Sequence, residues 1–203
     1  MSTIPATFDK KDKRFDKNPN DFFETPMPLV TACLSKMAHW QPETVLDVGC
    51  GYGAWGRGAR TAWPEARIVG VDIVPRLPVE HPYDNFYRND FLDVELGMFD
   101  FVIGNPPYSS KSNRNLAADL VMHGLDCLGE DGRLGFLLKT EFVNADNRYN
   151  TLFRINPPAE QWVAVQRPSF YGNGRSNTIC YSFFIWKKAN PMLSTQTRWL
   201  SWR

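Results

Sequence analysis

Apolar and polar positions change their spacing along the chain, and each change marks a predicted element. After Pro28, apolar residues recur at helical spacing as far as Trp40, which predicts a first helix. Beyond it, short apolar runs typical of buried strands alternate with helical patterns up to about residue 140. The predicted strands are, in chain order, TVLDVGC, ARIVGVDI, NFYRNDF, FDFVIGNPPY and RLGFLLKTEFV. Two later runs, EQWVAVQRPSF and TICYSFFIWKK, predict a strand pair connected by the loop YGNGRSN.

This order of elements predicts an α/β protein with a doubly wound, Rossmann-like sheet. We expect seven strands, mostly parallel, with an antiparallel strand at the edge where the late pair joins. A single domain over residues 21–190 would contain them, between a polar N-terminal tail (residues 1–20) and a C-terminal segment (residues 191–203). Ligands of such sheets bind at the carboxyl ends of the strands, so the residues there are the candidates for function.

Composition narrows the function classes without choosing among them. The chain has 203 residues and a formal net charge of +1, which is less basic than usual for a protein that binds nucleic acid through phosphate contacts alone. No apolar run approaches the roughly 20 residues of a membrane span, and the start lacks the apolar centre of a secretory signal. We therefore expect a cytoplasmic protein with no membrane partner. The four cysteines form no C-x-x-C pair, and we predict no metal site.

The segment VLDVGCGYGAWG follows the first predicted strand and opens a helix. Gly49, Gly51 and Gly53 alternate, which would let the backbone approach a bulky ligand closely. The G-x-G-x-x-G spacing alone is weak evidence for a dinucleotide. Asp47 precedes these glycines, and a carboxylate at this place would repel a pyrophosphate but suit a cationic amine.

Acids also stand at the next two strand ends. Asp72 and Ile73 end the second strand about 20 residues after the glycines, the separation of an acid that binds ribose hydroxyls. Asp90 could accept a hydrogen bond from an adenine amino group, and Phe91 could line the ring. An amine, a ribose and an adenine recognised in succession indicate S-adenosylmethionine. The alternative is that these residues are ordinary caps and turn formers.

The fourth strand ends in Asn105, Pro106, Pro107 and Tyr108. An adenine-type amino nitrogen is a poor nucleophile because its lone pair is delocalised into the ring. The Asn105 side-chain oxygen and the Pro106 carbonyl could accept its two hydrogens and stabilise positive charge that develops during methyl transfer. The two prolines would stiffen the turn, and Tyr108 would offer a flat face for a stacked base.

Together these motifs resemble the class I S-adenosylmethionine-dependent methyltransferases. NPPY resembles the subgroup that methylates planar amino nitrogens, and compact phage-type adenine-N6 DNA methyltransferases in particular. FFETP resembles the cofactor-flanking segment of the adenine DNA enzymes, which implies cofactor contacts from Phe23, Thr25 and Pro26, with Asn105 as a further contact. The resemblance covers residues 22–188 and implies S-adenosylmethionine as cofactor and adenine N6 in nucleic acid as target, DNA favoured over RNA. Unlike many of these enzymes, the chain has no room for a separate target-recognition domain.

Three predicted loops would surround the pocket and supply aromatic and basic contacts to nucleic acid. The candidates for these contacts are Lys111, Arg114, Phe170, Tyr171 and Arg175. Other functions stay open at this level. NPPY also occurs in protein glutamine-N5 methyltransferases, and cytosine N4 is a further target, although SPPY is its commoner motif. A non-catalytic module that binds S-adenosylmethionine or nucleic acid is another alternative, while Asp47 disfavours a dehydrogenase. Monomer and dimer are equally compatible with the sequence.

Overall fold

The computed structural model describes residues 24–110, 112–170, 178–188 and 194–202. The helices within these ranges are α1 (Met27–Ser35), α2 (Ala54–Ala62), α3 (Leu116–Asp126) and the short α4 (Asp146–Arg148). The strands are β1 (Thr44–Val48), β2 (Arg67–Asp72), β3 (Asn85–Arg88), β4 (Phe99–Gly104), β5 (Leu128–Lys139), β6 (Glu160–Ala164), β7 (Tyr181–Lys187) and β8 (Gln196–Leu200). Single turns of 3₁₀ or π helix cover Phe91–Asp93, Thr140–Val143 and Tyr149–Phe153. The predicted N-terminal tail lies outside the described residues.

The strands form one sheet in the order β3-β2-β1-β4-β5-β7-β6-β8. The strand β7 runs antiparallel to both of its neighbours, and every other pairing in this sheet is parallel. The predicted doubly wound α/β class is therefore confirmed, and the late pair of strands joins as expected. Two details differ: within the described residues the sheet has eight strands instead of seven, and the antiparallel strand lies two strands in from the edge.

The additional strand, β8, comes from the segment that the sequence placed after the domain. It pairs in parallel with β6, from Glu160 beside Gln196 to Ala164 beside Leu200. Only Leu200 of its five residues is buried. An edge strand with one buried side chain shows no alternation of apolar and polar positions, so its sequence pattern gave no strand signal.

Both faces of the sheet are covered by apolar layers. Phe101 and Ile103 of β4 belong to a buried cluster that includes α1 and α2, whereas Val102 belongs to the cluster that includes α3. Successive side chains of a strand point to opposite faces, so this division places α1 and α2 on one face and α3 on the other. The continuous apolar runs of the central strands follow from this two-sided burial.

The ends of β1 and β4 approach each other unusually closely. Val48 pairs with Gly104, and a Cβ atom at Gly104, which has φ 156°, would lie 2.5 Å from the Val48 carbonyl oxygen. A residue without a side chain is therefore required immediately before Asn105. This contact brings the turn after β4 beside the glycine loop after β1.

No helix in the described part of the chain is long and apolar enough to cross a membrane.

Candidate active site

A pocket opens at the carboxyl ends of β1, β2 and β4, where ligands of doubly wound sheets bind. Seven of the predicted cofactor contacts line it: Thr25, Gly49, Asp72, Ile73, Asp90, Phe91 and Asn105. Pro107 of the NPPY turn lines it too, and Leu116 and Leu120 of α3 add an apolar wall. The fold thus brings together strand ends that are far apart in sequence, and the NPPY turn shares one pocket with the predicted cofactor residues.

Asp72 is fixed at the wall of this pocket by three neighbours. One carboxylate oxygen accepts a hydrogen bond from the Gly51 backbone N–H at 2.8 Å. The other accepts from the Val74 N–H at 2.8 Å and pairs with the Arg76 guanidinium at 3.5 Å. The side chain is only 7% exposed, so these contacts hold it in one orientation. Asp72 therefore ties the glycine loop to the end of β2 and presents a carboxylate to the pocket.

Asp47 lies behind the glycine loop and is fully buried. Its Oδ2 accepts hydrogen bonds from the Gly56 N–H at 2.9 Å and from the Tyr83 hydroxyl at 2.6 Å. Its Oδ1 is buried and has no hydrogen-bond partner among the described residues. Burial raises the pKa of this carboxyl to about 7. The structure gives Asp47 a position that supports α2, instead of the pocket-facing one expected from the sequence.

Tyr83 is a residue that the sequence reasoning missed. Its ring packs against glycine: a Cβ atom at Gly56 would lie 2.4 Å from the ring, and one at Gly70 would lie 3.1 Å from it. Its hydroxyl, as described, donates to Asp47. The third glycine of the G-x-G-x-x-G motif was the available signal, because here it makes room for a ring and does not contact the pocket.

The remaining glycines of the loop act through the backbone. Gly51 does so through its bond to Asp72, and Gly53, with φ 84°, is the residue from which α2 begins. Neither lines the pocket. Pro26 is the N-cap residue of α1 and does not line the pocket either. Phe23 lies outside the described residues.

Thr25 connects the segment before α1 to the NPPY turn. Its hydroxyl oxygen accepts hydrogen bonds from Trp55 Nε1 at 3.1 Å and from Asn105 Nδ2 at 3.3 Å. The side chain is 3% exposed, so these bonds form out of water. A threonine 80 positions earlier in the chain thus orients the amide of Asn105.

The rest of the NPPY turn packs between β4 and β5. Pro106 is buried, and the Tyr108 hydroxyl accepts a hydrogen bond from the Lys139 backbone N–H. The Lys139 ammonium lies 4.5 Å from the centroid of the Tyr108 ring. One face of Tyr108, expected from the sequence to be open for stacking, is therefore covered by a cation.

The predicted substrate contacts separate into three groups. Arg114 is exposed and lines a second pocket, beside Tyr108. Phe170 is 8% exposed and packs edge-to-face on Tyr181, with ring centroids 4.9 Å apart, so it belongs to the core. The other candidates, Lys111, Tyr171 and Arg175, lie outside the described residues. No group of three or more potential metal ligands occurs in the described part of the chain.

Comparison with known proteins identifies the family. The methyltransferase small domain family matches residues 28–157, well over half of the chain. The chain belongs to this family. The predicted class, the S-adenosylmethionine-dependent methyltransferases, is thereby confirmed.

Two curated proteins are similar to this chain. The chain is 27% identical over 209 residues to the type II methyltransferase M.CvrRI of Paramecium bursaria Chlorella virus XZ-6E, covering 94% of this chain and 54% of that protein. It is 30% identical over 115 residues to the release factor glutamine methyltransferase of Deinococcus radiodurans, covering 51% of this chain and 41% of that protein. The chain therefore spans about half the length of the relatives it matches.

A solved structure shows the same fold. It is a candidate class I S-adenosylmethionine-dependent methyltransferase from Listeria monocytogenes, which superposes with a TM-score of 0.65 and 12% sequence identity. The match covers 91% of this chain and 66% of that one. At this identity the likeness establishes the fold.

The residues of the first pocket fit the cofactor of this fold. A Cβ atom at Gly49, which has φ 66°, would meet only Pro107 within 4 Å, at 3.9 Å, so the missing side chain leaves open space beside the NPPY turn. Asp72 supplies a carboxylate suited to ribose hydroxyls, and Phe91 supplies an apolar wall suited to an adenine ring. A pocket with acids at its strand ends, an exposed glycine backbone and apolar sides matches an adenosine with a polar tail.

Proposed function

We propose that this chain transfers the methyl group of S-adenosylmethionine to the N6 amino group of adenine in nucleic acid, with DNA favoured over RNA. The observation that carries the proposal is the position of the NPPY turn. Asn105 and Pro107 line the same pocket as Asp72 and Phe91, so the side chain proposed to bind the target amine borders a site suited to the cofactor.

The pocket residues would divide the binding of the cofactor among them. Asp72 would accept hydrogen bonds from the ribose hydroxyls, Asp90 would accept one from the adenine amino group, and Phe91 would line the adenine ring. When bound, the cofactor supplies an electrophilic methyl group on its sulfonium sulfur. Asp47 would act indirectly, by holding the N–H of Gly56 and so the start of α2 in place.

Asn105 and Pro106 would act on the nitrogen that accepts the methyl group. Their two oxygens would accept the two amino hydrogens, draw the lone pair out of the ring and stabilise the charge that develops on nitrogen. The nitrogen would gain a bond to the methyl carbon as the bond between that carbon and the cofactor sulfur breaks, and it would afterwards lose one proton to water. Most of the remaining rate would come from alignment of the nitrogen, the methyl carbon and the sulfur, which the two prolines and Thr25 support.

Two observations favour nucleic acid as the substrate. Similarity to a viral type II methyltransferase extends over 94% of the chain. In addition, Thr25 of the FFETP segment, which resembles the adenine DNA enzymes, contacts Asn105 directly. A base within a duplex cannot reach this pocket, so the substrate adenine would be flipped out or unpaired.

A glutamine side-chain amide is the second candidate substrate. It is also a planar amino group, and the release factor glutamine methyltransferase is 30% identical over half of the chain. That similarity covers less of the chain than the viral one, which is why we place it second.

Parallel labelling reactions distinguish these substrates. The protein is incubated with methyl-labelled cofactor and, in parallel, with DNA, with RNA and with a release factor. We expect label in nucleic acid, with DNA labelled faster than RNA. Label in the protein substrate alone would overturn the proposal in favour of glutamine. Cofactor binding without label in any substrate would indicate a non-catalytic module.

A further inference from the structure

A second pocket borders the NPPY turn and shares no lining residue with the first. It lies between the ends of β4 and β5, the start of α3 and the segment around α4. Its polar and charged walls include Ser109, Arg114, Lys139, Glu141 and Arg148. Tyr108 is also one of its walls, so this pocket lies immediately beside the residues proposed to hold the target base.

Positive charge prevails in this second pocket. Three of its lining residues are cations, Arg114, Lys139 and Arg148, and Glu141 is its one carboxylate. In the described part of the chain, none of the three cations has a carboxylate oxygen within 4.0 Å. Glu141 offsets part of this charge, and the pocket keeps a net positive charge that will attract an anion.

Aromatic rings hold two of these cations in place. The Lys139 ammonium lies 4.5 Å from the Tyr108 ring centroid, and the Arg148 guanidinium lies 4.9 Å from that of Phe142. Arg148 Nε also donates a hydrogen bond to the Phe142 carbonyl oxygen at 2.6 Å. A ring orders a cation without cancelling its charge, so Lys139 and Arg148 remain able to bind an anion through their other N–H groups.

We propose that the second pocket binds a phosphate group of the substrate backbone, next to the nucleotide whose base enters the first pocket. This inference rests on the proposed function and names a contact that fixes the nucleic acid in register. Arginine presents a fork of donors that matches phosphate geometry, and lysine adds a point charge. Phosphate contacts of this kind position a nucleic acid without reading its sequence.

The test measures how salt weakens binding to a single-stranded DNA oligonucleotide with one central adenine. Each phosphate contact contributes about 0.7 to the slope of log affinity against log salt for single strands. We expect Lys139→Gln and Arg148→Gln each to reduce the magnitude of this slope by about that amount and to weaken binding at low salt. Arg114→Gln is a third variant, on an exposed side chain that leaves the interior untouched.

Lys187→Gln is the matched control. Lys187 ends β7 and pairs with Arg133, whereas Lys139 pairs with Tyr181 at the opposite end of the same pair of strands. Lys187 therefore lies at the ends of these strands that are far from both pockets. The salt slope of Lys187→Gln should equal that of the wild type. Cofactor affinity and the melting temperature of every variant show whether the fold is intact.

Two further arms identify the ligand. An oligonucleotide with an abasic site in place of the adenine keeps the phosphates and should show the same loss of slope. If the abasic oligonucleotide shows no difference between wild type and variants, the pocket contacts the base and the inference is wrong. Slopes equal to wild type in all three pocket variants overturn it as well, even where methyl transfer to DNA is observed. Reduced slopes in a protein that methylates no nucleic acid would uphold the phosphate pocket and refute the proposed function.

Discussion

At the scale of single residues, the site depends on buried polar side chains that sit one layer behind the pocket surface. Thr25 and Asp47 are both less than 5% exposed; Thr25 fixes a group that lines the first pocket, whereas Asp47 fixes backbone behind it. Thr25 orients the amide of Asn105, and Asp47 anchors the backbone where α2 begins. Variants of such residues act by moving the groups that these side chains hold. We expect a change in kcat for Thr25 and a change in the pH dependence of stability for Asp47.

Replacement of Thr25 tests the orientation of Asn105. Thr25→Val keeps the shape of the side chain and removes the oxygen that accepts from Trp55 and Asn105. Loss of a buried hydrogen-bond partner costs about 1–3 kcal/mol. We therefore expect the activation free energy to rise by a similar amount, which lowers kcat roughly 10-fold or more. Thr25→Ser keeps the oxygen and should restore most of the rate, with kcat and KM measured for each. A Thr25→Val enzyme with unchanged kcat would show that Asn105 needs no such support.

Asp47 predicts a dependence of stability on pH. Its folded pKa is about 7, above the value of 3.8 for an unperturbed carboxyl. Between these values the folded state keeps a proton that the unfolded state has lost, so this group makes the protein less stable as pH rises through that window. Within this window, the contribution of Asp47 to the free energy of unfolding should fall by on the order of 1 kcal/mol for each unit of pH.

Denaturant unfolding of wild type and Asp47→Asn from pH 4 to pH 8 measures this effect. The uncharged amide cannot ionise, so the stability of Asp47→Asn relative to wild type should increase with pH. A constant difference between the two proteins would show that folding does not raise the pKa of Asp47.

At the scale of elements, the glycines of the loop after β1 and of the helix α2 that follows it serve two different purposes. Gly49 leaves space at the pocket, whereas Gly56 makes room for Tyr83. Sequence alone predicted this loop, the helix after it and the acid at the end of β2, because all of them depend on local spacing. Tyr83 escaped prediction because its role depends on a contact between a loop residue and a helix that no local pattern encodes.

Substitution at Gly56 tests this packing. Gly56→Ala would place a Cβ atom 2.4 Å from the Tyr83 ring, so either the ring or α2 has to shift. Overpacking of this kind costs typically about 1–3 kcal/mol of the free energy of unfolding. Gly129→Ala is the control, since its Cβ atom would meet only the Phe99 carbonyl within 4 Å, at 3.8 Å. Equal stabilities of the two variants would contradict the proposed role of Gly56.

At the scale of the whole molecule, the fold was more predictable than the site. Buried parallel strands have strong apolar signals, so the α/β class and the presence of the first seven strands along the chain followed from sequence. The edge strand β8 did not, because only Leu200 is buried. The first pocket was foreseen because its residues follow strand ends in a known order. The second pocket was not, because Lys139 and Arg148 come together with Arg114 only through the tertiary structure.

Cofactor binding should stabilise the entire domain, since the first pocket joins the ends of three central strands. A ligand at 100 times its dissociation constant adds about 2.7 kcal/mol to the free energy of unfolding. We expect S-adenosylmethionine to raise the melting temperature of the wild type by several degrees, and Asp72→Asn to lose most of that increase at the same concentration. Asp93→Asn, which lies outside the first pocket, is the control. An equal increase in Asp72→Asn would remove Asp72 from the cofactor site.

The most direct test of the central claim is the identity of the methylated base. DNA exposed to the protein and to S-adenosylmethionine is digested to nucleosides and analysed by mass spectrometry. We expect N6-methyldeoxyadenosine with the wild type and with the control Asn85→Ala. Asn105→Ala should keep most of its affinity for the cofactor and form this product at least about 100-fold more slowly. Methylation of another base, or near-full activity of Asn105→Ala, would contradict it.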